Sequence, residues 1–376
     1  KGKQGLVCMG LLLVLSSCHT GKQITASGLQ RKDFQTEVNG QHTDLFTLSN
    51  KQGMEVCITN YGARVVSILV PDRNGKREDV VCGFSTITEY MEQRQNFGST
   101  VGRYIGRILN ARFTLDGVEY KLVPNNGKSG HISHGGNPGF ADRIWKVEQA
   151  DTHRVRLSYL SPDGENGFPG NLKVTLVYSL GEDDNALDLT YEATTDAPTV
   201  LNLSHHSFFN ISGNFTKSVE DQQLWVDADR FTPYDDKKCV TGEYLPVAGT
   251  PLDFRMPHTI GECIDADHPQ LKVVNGYDHT WELNTKGDDT RPAAWVYDPA
   301  SGRKMEIFTT EPGMQIYTGN GLKGKMTGKG GIAYPFRSAV CFETMHFQDS
   351  PNQPGFPSTV LRPGEVFRSH TVYKFE

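Results

Sequence analysis

The strongest constraint on this chain's fold is a series of short, β-branched and aromatic runs. They follow one another from about residue 34 to the end without sustained helical periodicity. Runs at 45–49, 55–60 and 64–70 are separated by turn formers such as Lys51-Gln52-Gly53 and Pro71-Asp72-Arg73-Asn74-Gly75. At 113–123 two such runs flank Asp116-Gly117, a dipeptide suited to a two-residue hairpin turn. Runs at 155–160, 172–180, 186–193, 295–297, 304–309 and 315–318 continue the series, and only 87–93 reads as a short helix. Many strands without helices must stack as a sandwich or close as a barrel. The 376 residues include 39 Gly and 19 Pro, enough turn formers to favour one large antiparallel β-sandwich over 34–376. No linker or fixed-period repeat divides it, and a cleft on one curved sheet is the expected ligand site.

The N-terminal segment follows different rules. Lys1 and Lys3 precede an apolar run at 6–15, too short to span a bilayer as a stable helix, and small residues follow it. Leu15-Ser16-Ser17-Cys18 resembles the bacterial lipoprotein cleavage box. Residues 1–18 are therefore expected to be a lipoprotein-type export signal, with Cys18 lipid-modified, and 19–33 a flexible tether. The expected location is outside the cytoplasm, anchored to a membrane and facing the periplasm or the cell surface. Beyond Cys8 and Cys18, the cysteines at 57, 82, 239, 263 and 341 are odd in number and widely spaced. They suggest neither a disulfide framework nor a CxxC metal site. A net charge of -6 without a basic block argues against nucleic acid as a partner.

Several stretches could carry chemistry. At 339–347 alternation puts Glu343 on the side of Ala339, Cys341, Met345 and Phe347. A carboxylate among apolar neighbours must be partnered or used. A salt bridge at a strand end is the plain reading, and a working carboxylate at the mouth of a cleft is the alternative. At 200–210 alternation sets His206 with Asn202, Ser204 and Phe208, and His205 with Leu201 and Leu203. His206 can then enter a pocket, with Phe208 as a platform for the apolar side of a sugar ring. His205 reads as a core histidine. His131 and His134 could suggest a metal pair, but no third ligand is nearby, and Gly135-Gly136 points to a tight loop. Arg103 and Arg107, four apart in a β-like context, are expected on one face, either surface-paired or reaching for a ligand. Asp278 in Gly276-Tyr277-Asp278-His279 is an acid amid aromatics, and a glycosidase-type pairing with Glu343 stays open. Phosphate loops, GxSxG elbows and HExxH motifs are missing from the sequence.

Taken together and in order, these stretches resemble the aldose 1-epimerase (galactose mutarotase) family. The resemblance rests on NYGARVVSI at 60–68, GRYIGRI at 102–108, HGG at 134–136 and NLSHHSFFNISG at 202–213. It continues through FTPYDDK at 231–237, LPVAGTPLDFR at 245–255, GYDH at 276–279 and QIYTGN at 315–320. The longest match is CFETMHFQDSPNQPGFPSTVLRPGE at 341–365. The resemblance implies a supersandwich fold and interconversion of the α and β anomers of free hexoses such as glucose and galactose. It implies His206 as catalytic acid and Glu343 as catalytic base. Arg107, His134 and Asp278 fall at sugar-binding positions, with Phe208 where the family often has Tyr and Gln315 at a substrate-contacting glutamine. Gly106 stands where many members have Asn, so a side-chain contact to the sugar is expected to be missing there. The loop before His134 looks about two residues longer than usual. No cofactor is required, although a calcium ion could bind, and a monomer is expected. The alternatives are a sugar-binding protein that has lost its chemistry and a hexose-6-phosphate 1-epimerase.

Overall fold

Alternation of buried and exposed positions sets the architecture. Along Leu172–Leu180 the side chains of Leu172, Val174, Leu176, Tyr178 and Leu180 are buried, while those between them are exposed or half-buried. A period of two with one dry face makes a sheet that must be covered on that face. A computed structural model of the chain describes residues 23–376. Residues 1–22, with the expected export signal and Cys18, lie outside the described residues.

The largest sheet has nine strands. Lys146–Ala150, Arg154–Ser161, Leu172–Leu180, Ala186–Thr195 and Phe367–Phe375 run in spatial order, followed by Lys304–Thr309, Ala294–Tyr297, Gln223–Val226 and His258–Thr259. A six-stranded sheet orders Phe208–Phe209, Val340–Met345, Gly313–Tyr317, Asp278–Glu282, Arg230–Thr232 and Leu245–Pro246. A four-stranded sheet runs Leu45–Ser49, Glu55–Thr59, Arg64–Pro71 and Arg77–Asp79. The pairings in all three are antiparallel. Leu189, Tyr373, Ile307 and Val296 of the large sheet share one core with Met314, Ile316, Val340 and Phe342 of the second. Val56, Ile58 and Val65 of the third complete it. This is the expected sandwich, with the middle strands of the six-stranded sheet covered on both faces: all of Val340–Met345 is buried.

Local signals agree with the sequence in most places. The Asp116-Gly117 hairpin joins Arg112–Leu115 to Val118–Lys121, both turn residues having positive φ (52° and 80°) as a type I′ turn requires. The helix Ile87–Gln93 starts at a capping box formed by Thr86 and Glu89. A second helix, Pro269–Val274, was not expected, because six residues are too few to show a period.

Two expectations are corrected. The tether does not extend over the described part of 19–33: Thr25 and Leu29 are buried, and Leu29 joins a cluster with Phe34, Tyr61 and Phe97. The Ala26 amide donates to Glu55 Oε1 at 2.7 Å, and Arg31 Nε donates to Asp44 Oδ1 at 2.8 Å. One apolar anchor and two acidic partners hold a segment whose polar composition reads as free chain. Arg103 and Arg107 also separate. The strand holds only Arg107–Ile108, and Gly106, with φ of +76°, turns the chain just before it. Arg103 is buried, its Nη1 donating to the carbonyls of Pro169 and Gly170 at 2.8 and 3.0 Å and its Nη2 to Ser161 Oγ at 2.6 Å. It serves as an interior donor for loop carbonyls. Because Arg103→Met would leave those carbonyls unpaired, it is expected to lower the unfolding free energy by at least ~2 kcal/mol, read from urea midpoints. An unchanged midpoint would show that the loops find other donors.

Candidate active site

Register brings the polar residues of the six-stranded sheet onto one face. Val340 and Phe342 point into the core, so Cys341, Glu343 and Met345 point the other way. Gln315 stands opposite Glu343 on the neighbouring strand, and Thr280 stands opposite Gln315 on the next. Tyr317 faces Asp278 in the same ladder. His206 arrives from outside this sheet. Ser204–His206 pairs with Ser99–Val101, and the chain then crosses to pair Phe208 with Cys341. That crossing sets His206 Nε2 3.4 Å from Glu343 Oε1 and His206 Nδ1 3.6 Å from Cys341 Sγ. Phe208 stacks on the His206 ring at 5.1 Å and 18°, so it fixes the imidazole besides lining the cavity.

The opposite wall comes from two loops. Arg107–Ile108 pairs with Ile132–Ser133, which carries His134 to the Gly106 turn, where the His134 amide donates to Gly106 O at 2.9 Å. His134, Gly135 and Gly136 all have positive φ (53°, 78° and 103°). A Cβ on Gly135 would lie 2.0 Å from the Gly102 carbonyl oxygen, so the glycine is what lets the turn pass. This delivers the His134 ring edge-on to His206, with centroids 5.5 Å apart. The result is a cavity of about 240 Å³ in which Arg107, His134, His206, Asp278, Gln315 and Glu343 converge.

Burial dominates the electrostatics. It pushes the Glu343 carboxyl well above the usual carboxylate range, with the Asp278 charge adding to the effect. Burial also raises Asp278, opposed by the Arg107 guanidinium. It pulls the His206 imidazole well below its ordinary value, assisted by His134, and lowers His134 to about 4, assisted by Arg107. His134 is therefore neutral near pH 7. Its Nδ1 faces the Gly106 amide at 3.4 Å, which leaves Nε2–H as the donor for a ligand. Gln315 is fixed at both ends: Nε2 donates to Asp278 Oδ1 at 2.7 Å, and Oε1 accepts from Thr280 Oγ1 at 2.5 Å.

The residues expected from the sequence thus meet in one place, and His205 behaves as the core histidine it resembled. It is buried against Tyr178 and Tyr373, bonded to Ser207 Oγ at 2.6 Å, and its pKa is lowered by burial to about 3. His131 has partners of its own: its Nε2 lies 3.3 Å from Cys239 Sγ, and its Nδ1 accepts from the Asn110 amide at 2.9 Å. The donor atoms of His206, Cys341 and Glu343 lie within 4.8 Å of one another and could gather on a metal ion. Nitrogen and sulfur suit a soft ion better than calcium. The five cysteines of the described residues are all free. Tyr234, Tyr317 and Gln348 line the cavity without having been singled out. Tyr317 was recoverable from strand alternation with Gln315, whereas Tyr234 and Gln348 sit outside regular strands and gave no periodic signal.

With fold and geometry in hand, comparison with known proteins gives the class. The family model described as aldose 1-epimerase matches residues 44–374. Pig galactose mutarotase is 39% identical over 330 residues, 88% of this chain and 93% of the relative. The aldose 1-epimerase of Escherichia coli K12 is 36% identical over 339 residues, 90% of this chain and 96% of the relative. A crystal structure of an aldose epimerase homologue from C. elegans superposes with a TM-score of 0.82 at 31% identity, covering 89% of this chain and 99% of the other. This chain belongs to the aldose 1-epimerase family.

The burial of Glu343 gives a testable sign. A carboxyl whose pKa is raised by folding holds its proton in the native state above pH ~4.3, where the unfolded chain has lost it. The native state then binds more protons, and this group's contribution to stability falls as pH rises. Glu343→Gln removes that cost. Its unfolding midpoint is expected to exceed the wild type's at pH 8 by an amount worth about 1–2 kcal/mol, with the gain shrinking toward pH 4. Chemical denaturation at the two pH values checks this, and a destabilised variant at pH 8 would mean that the carboxylate is paid back by its partners.

Proposed function

We propose that this protein is an aldose 1-epimerase that interconverts the α and β anomers of free hexoses such as D-glucose and D-galactose. It does so by acid–base ring opening and reclosure, in the service of hexose and galactose metabolism. The observation that carries the reading is the buried His206–Glu343 pair, 3.4 Å apart, at the wall of a cavity lined by polar groups.

Mutarotation needs one proton removed from the anomeric hydroxyl and one delivered to the ring oxygen. Both oxygens are bonded to the same carbon, so neighbouring acid and base groups can reach them together. A glycosidase flanks the scissile bond with carboxyls about 5–9 Å apart, a different spacing. In the forward step the Glu343 carboxylate takes the hydroxyl proton and the C1–O1 bond becomes a carbonyl. As the C1–O5 bond breaks, His206 gives its proton to the ring oxygen. Both groups end neutral, which is the state burial favours for each. Desolvation therefore makes Glu343 a stronger base and the His206 imidazolium a stronger acid than either is in water. Rotation about C1–C2 and reclosure with the roles reversed completes the exchange. No step calls for electron or group transfer, so no cofactor is required.

Arg107, His134, Asp278 and Gln315 would hold the sugar hydroxyls, and Phe208 would support His206. Among the described cavity-lining residues Arg107 is the one arginine or lysine, set against Asp278 and Glu343. This balance favours a neutral sugar over a hexose 6-phosphate. Because all these groups come from one chain, a monomer suffices. Export and lipid anchoring at Cys18, on the outer side of a membrane, rest on Leu15-Ser16-Ser17-Cys18. Cys18→Ala is expected to move the protein from the membrane fraction to the soluble fraction, and an unchanged distribution would remove the anchor.

Polarimetry on freshly dissolved α-D-galactose and α-D-glucose tests the activity. Wild-type protein is expected to speed relaxation, and Glu343→Gln and His206→Asn are each expected to cut turnover by at least about 10²-fold in folded protein. Saturable sugar binding without turnover by wild type would leave a binding protein instead.

A further inference from the structure

The cavity wall between Arg107 and Tyr234 is built around a side chain that the epimerase reading does not use. Gln348 lies just past the strand that carries Glu343, is 5% exposed and lines the cavity. Its Oε1 accepts from the Arg107 backbone amide at 3.2 Å. Its Nε2 donates to Tyr234 OH at 2.7 Å and lies 3.4 Å from Gln315 Oε1. The side chain passes through the space that Gly106 leaves open: a Cβ on residue 106 would lie 2.5 Å from Gln348 Cγ and 3.3 Å from Oε1. Position 106 and position 348 thus compete for one volume, and in this chain residue 348 holds it.

We propose that Gln348 is a specificity-determining residue that presents an amide to a sugar hydroxyl on the Gly106–Arg107–Tyr234 wall. The inference rests on the epimerase reading for its substrate class, a neutral aldohexose. A buried primary amide can make up to four hydrogen bonds, two as donor and two as acceptor. Gln348 makes two of good length, to the Arg107 amide and to Tyr234 OH. Oε1 keeps a free acceptor lone pair, and the second N–H has only a long 3.4 Å contact to Gln315 Oε1 that a ligand oxygen could replace; together they are complementary to a hydroxyl, which both donates and accepts. A site built to bond a hydroxyl rejects a sugar lacking or inverting it, because the amide would then be left unpaired. Gln348 also braces Gln315, so its removal loosens two groups of the same wall.

The exchange of volume with Gly106 supplies a test in which a merely structural role behaves differently. Asn tolerates positive φ better than most residues, so position 106 can carry an amide once residue 348 is small. In Gln348→Ala the KM for galactose is expected to rise about tenfold with kcat changed by no more than about twofold. Gly106→Asn alone is expected to lose at least as much, through collision with Gln348. The double variant is expected to return to within about threefold of the wild-type KM. Gln348→Met keeps the volume without the amide and is expected to show the raised KM, with thermal melts reporting that each variant is folded. An unchanged KM in folded Gln348→Ala or Gln348→Met would overturn the proposal, as would losses that simply add in the double variant. If wild type itself fails to speed mutarotation, the epimerase reading falls. The same variants then decide the role of Gln348 through galactose dissociation constants measured by calorimetry.

Discussion

The structure depends on strands that have no solvent face. In Val340–Met345 one side supplies Val340 and Phe342 to the sandwich core, and the other supplies Glu343 and Met345 to the cavity, with Cys341 packed beside Phe208. A one-residue slip would put Glu343 into the hydrocarbon core and Phe342 into the cavity, so packing and cavity lining enforce the same register. The neighbouring strands transmit that constraint. Gln315 is held opposite Glu343, and Asp278 opposite Tyr317, by backbone ladders rather than by loops. A site mounted on ladders is rigid at the scale that proton transfer requires.

That rigidity is offset by electrostatic cost. The cavity removes water from two carboxyl groups and two imidazoles, and each is displaced toward its neutral form. In the proposed mechanism this displacement favours ring opening, whose two proton transfers leave His206 and Glu343 neutral, while reclosure restores the charged pair. His134 uses it differently, because a neutral imidazole can donate to a ligand without adding charge beside His206. Arg107 keeps the balance: it opposes the rise at Asp278 and adds to the fall at His134. Under the proposed mechanism, stability and activity therefore pull Glu343 in opposite directions.

Much of this was legible in the sequence, for identifiable reasons. Alternation alone separated His205 from His206 and grouped Glu343 with Cys341 and Met345, because a strand leaves only two choices of face; that this face meets a cavity was not readable from it. The Asp116-Gly117 turn and the long strands of the nine-stranded sheet were readable on the same ground. What was hidden lay where the backbone is irregular. Arg103 and Arg107 look alike at a spacing of four, but the turn at Gly106 sends one into the interior and the other to the cavity. The segment at 23–33 is polar in composition, yet Leu29 and the Arg31–Asp44 pair dock it. Tyr234 and Gln348 reach the site from loops, where no period marks an inward residue.

Gly106 shows why a missing side chain is a poor guide to a missing contact. From the sequence, a glycine in place of a larger residue subtracts a polar group from the wall. In the folded chain the vacated space is threaded by Gln348, whose Cγ lies 2.5 Å from where a Cβ would be. Close packing makes this outcome general: a buried void beside a polar cavity is filled either by water or by the nearest side chain able to reach it. Here the side chain that reaches it is an amide already bonded to the Arg107 backbone and to Tyr234. The wall keeps its polarity while the group that supplies it moves from one loop to another. Specificity in such a site belongs to the filled volume and its hydrogen-bond capacity, not to any one position along the chain.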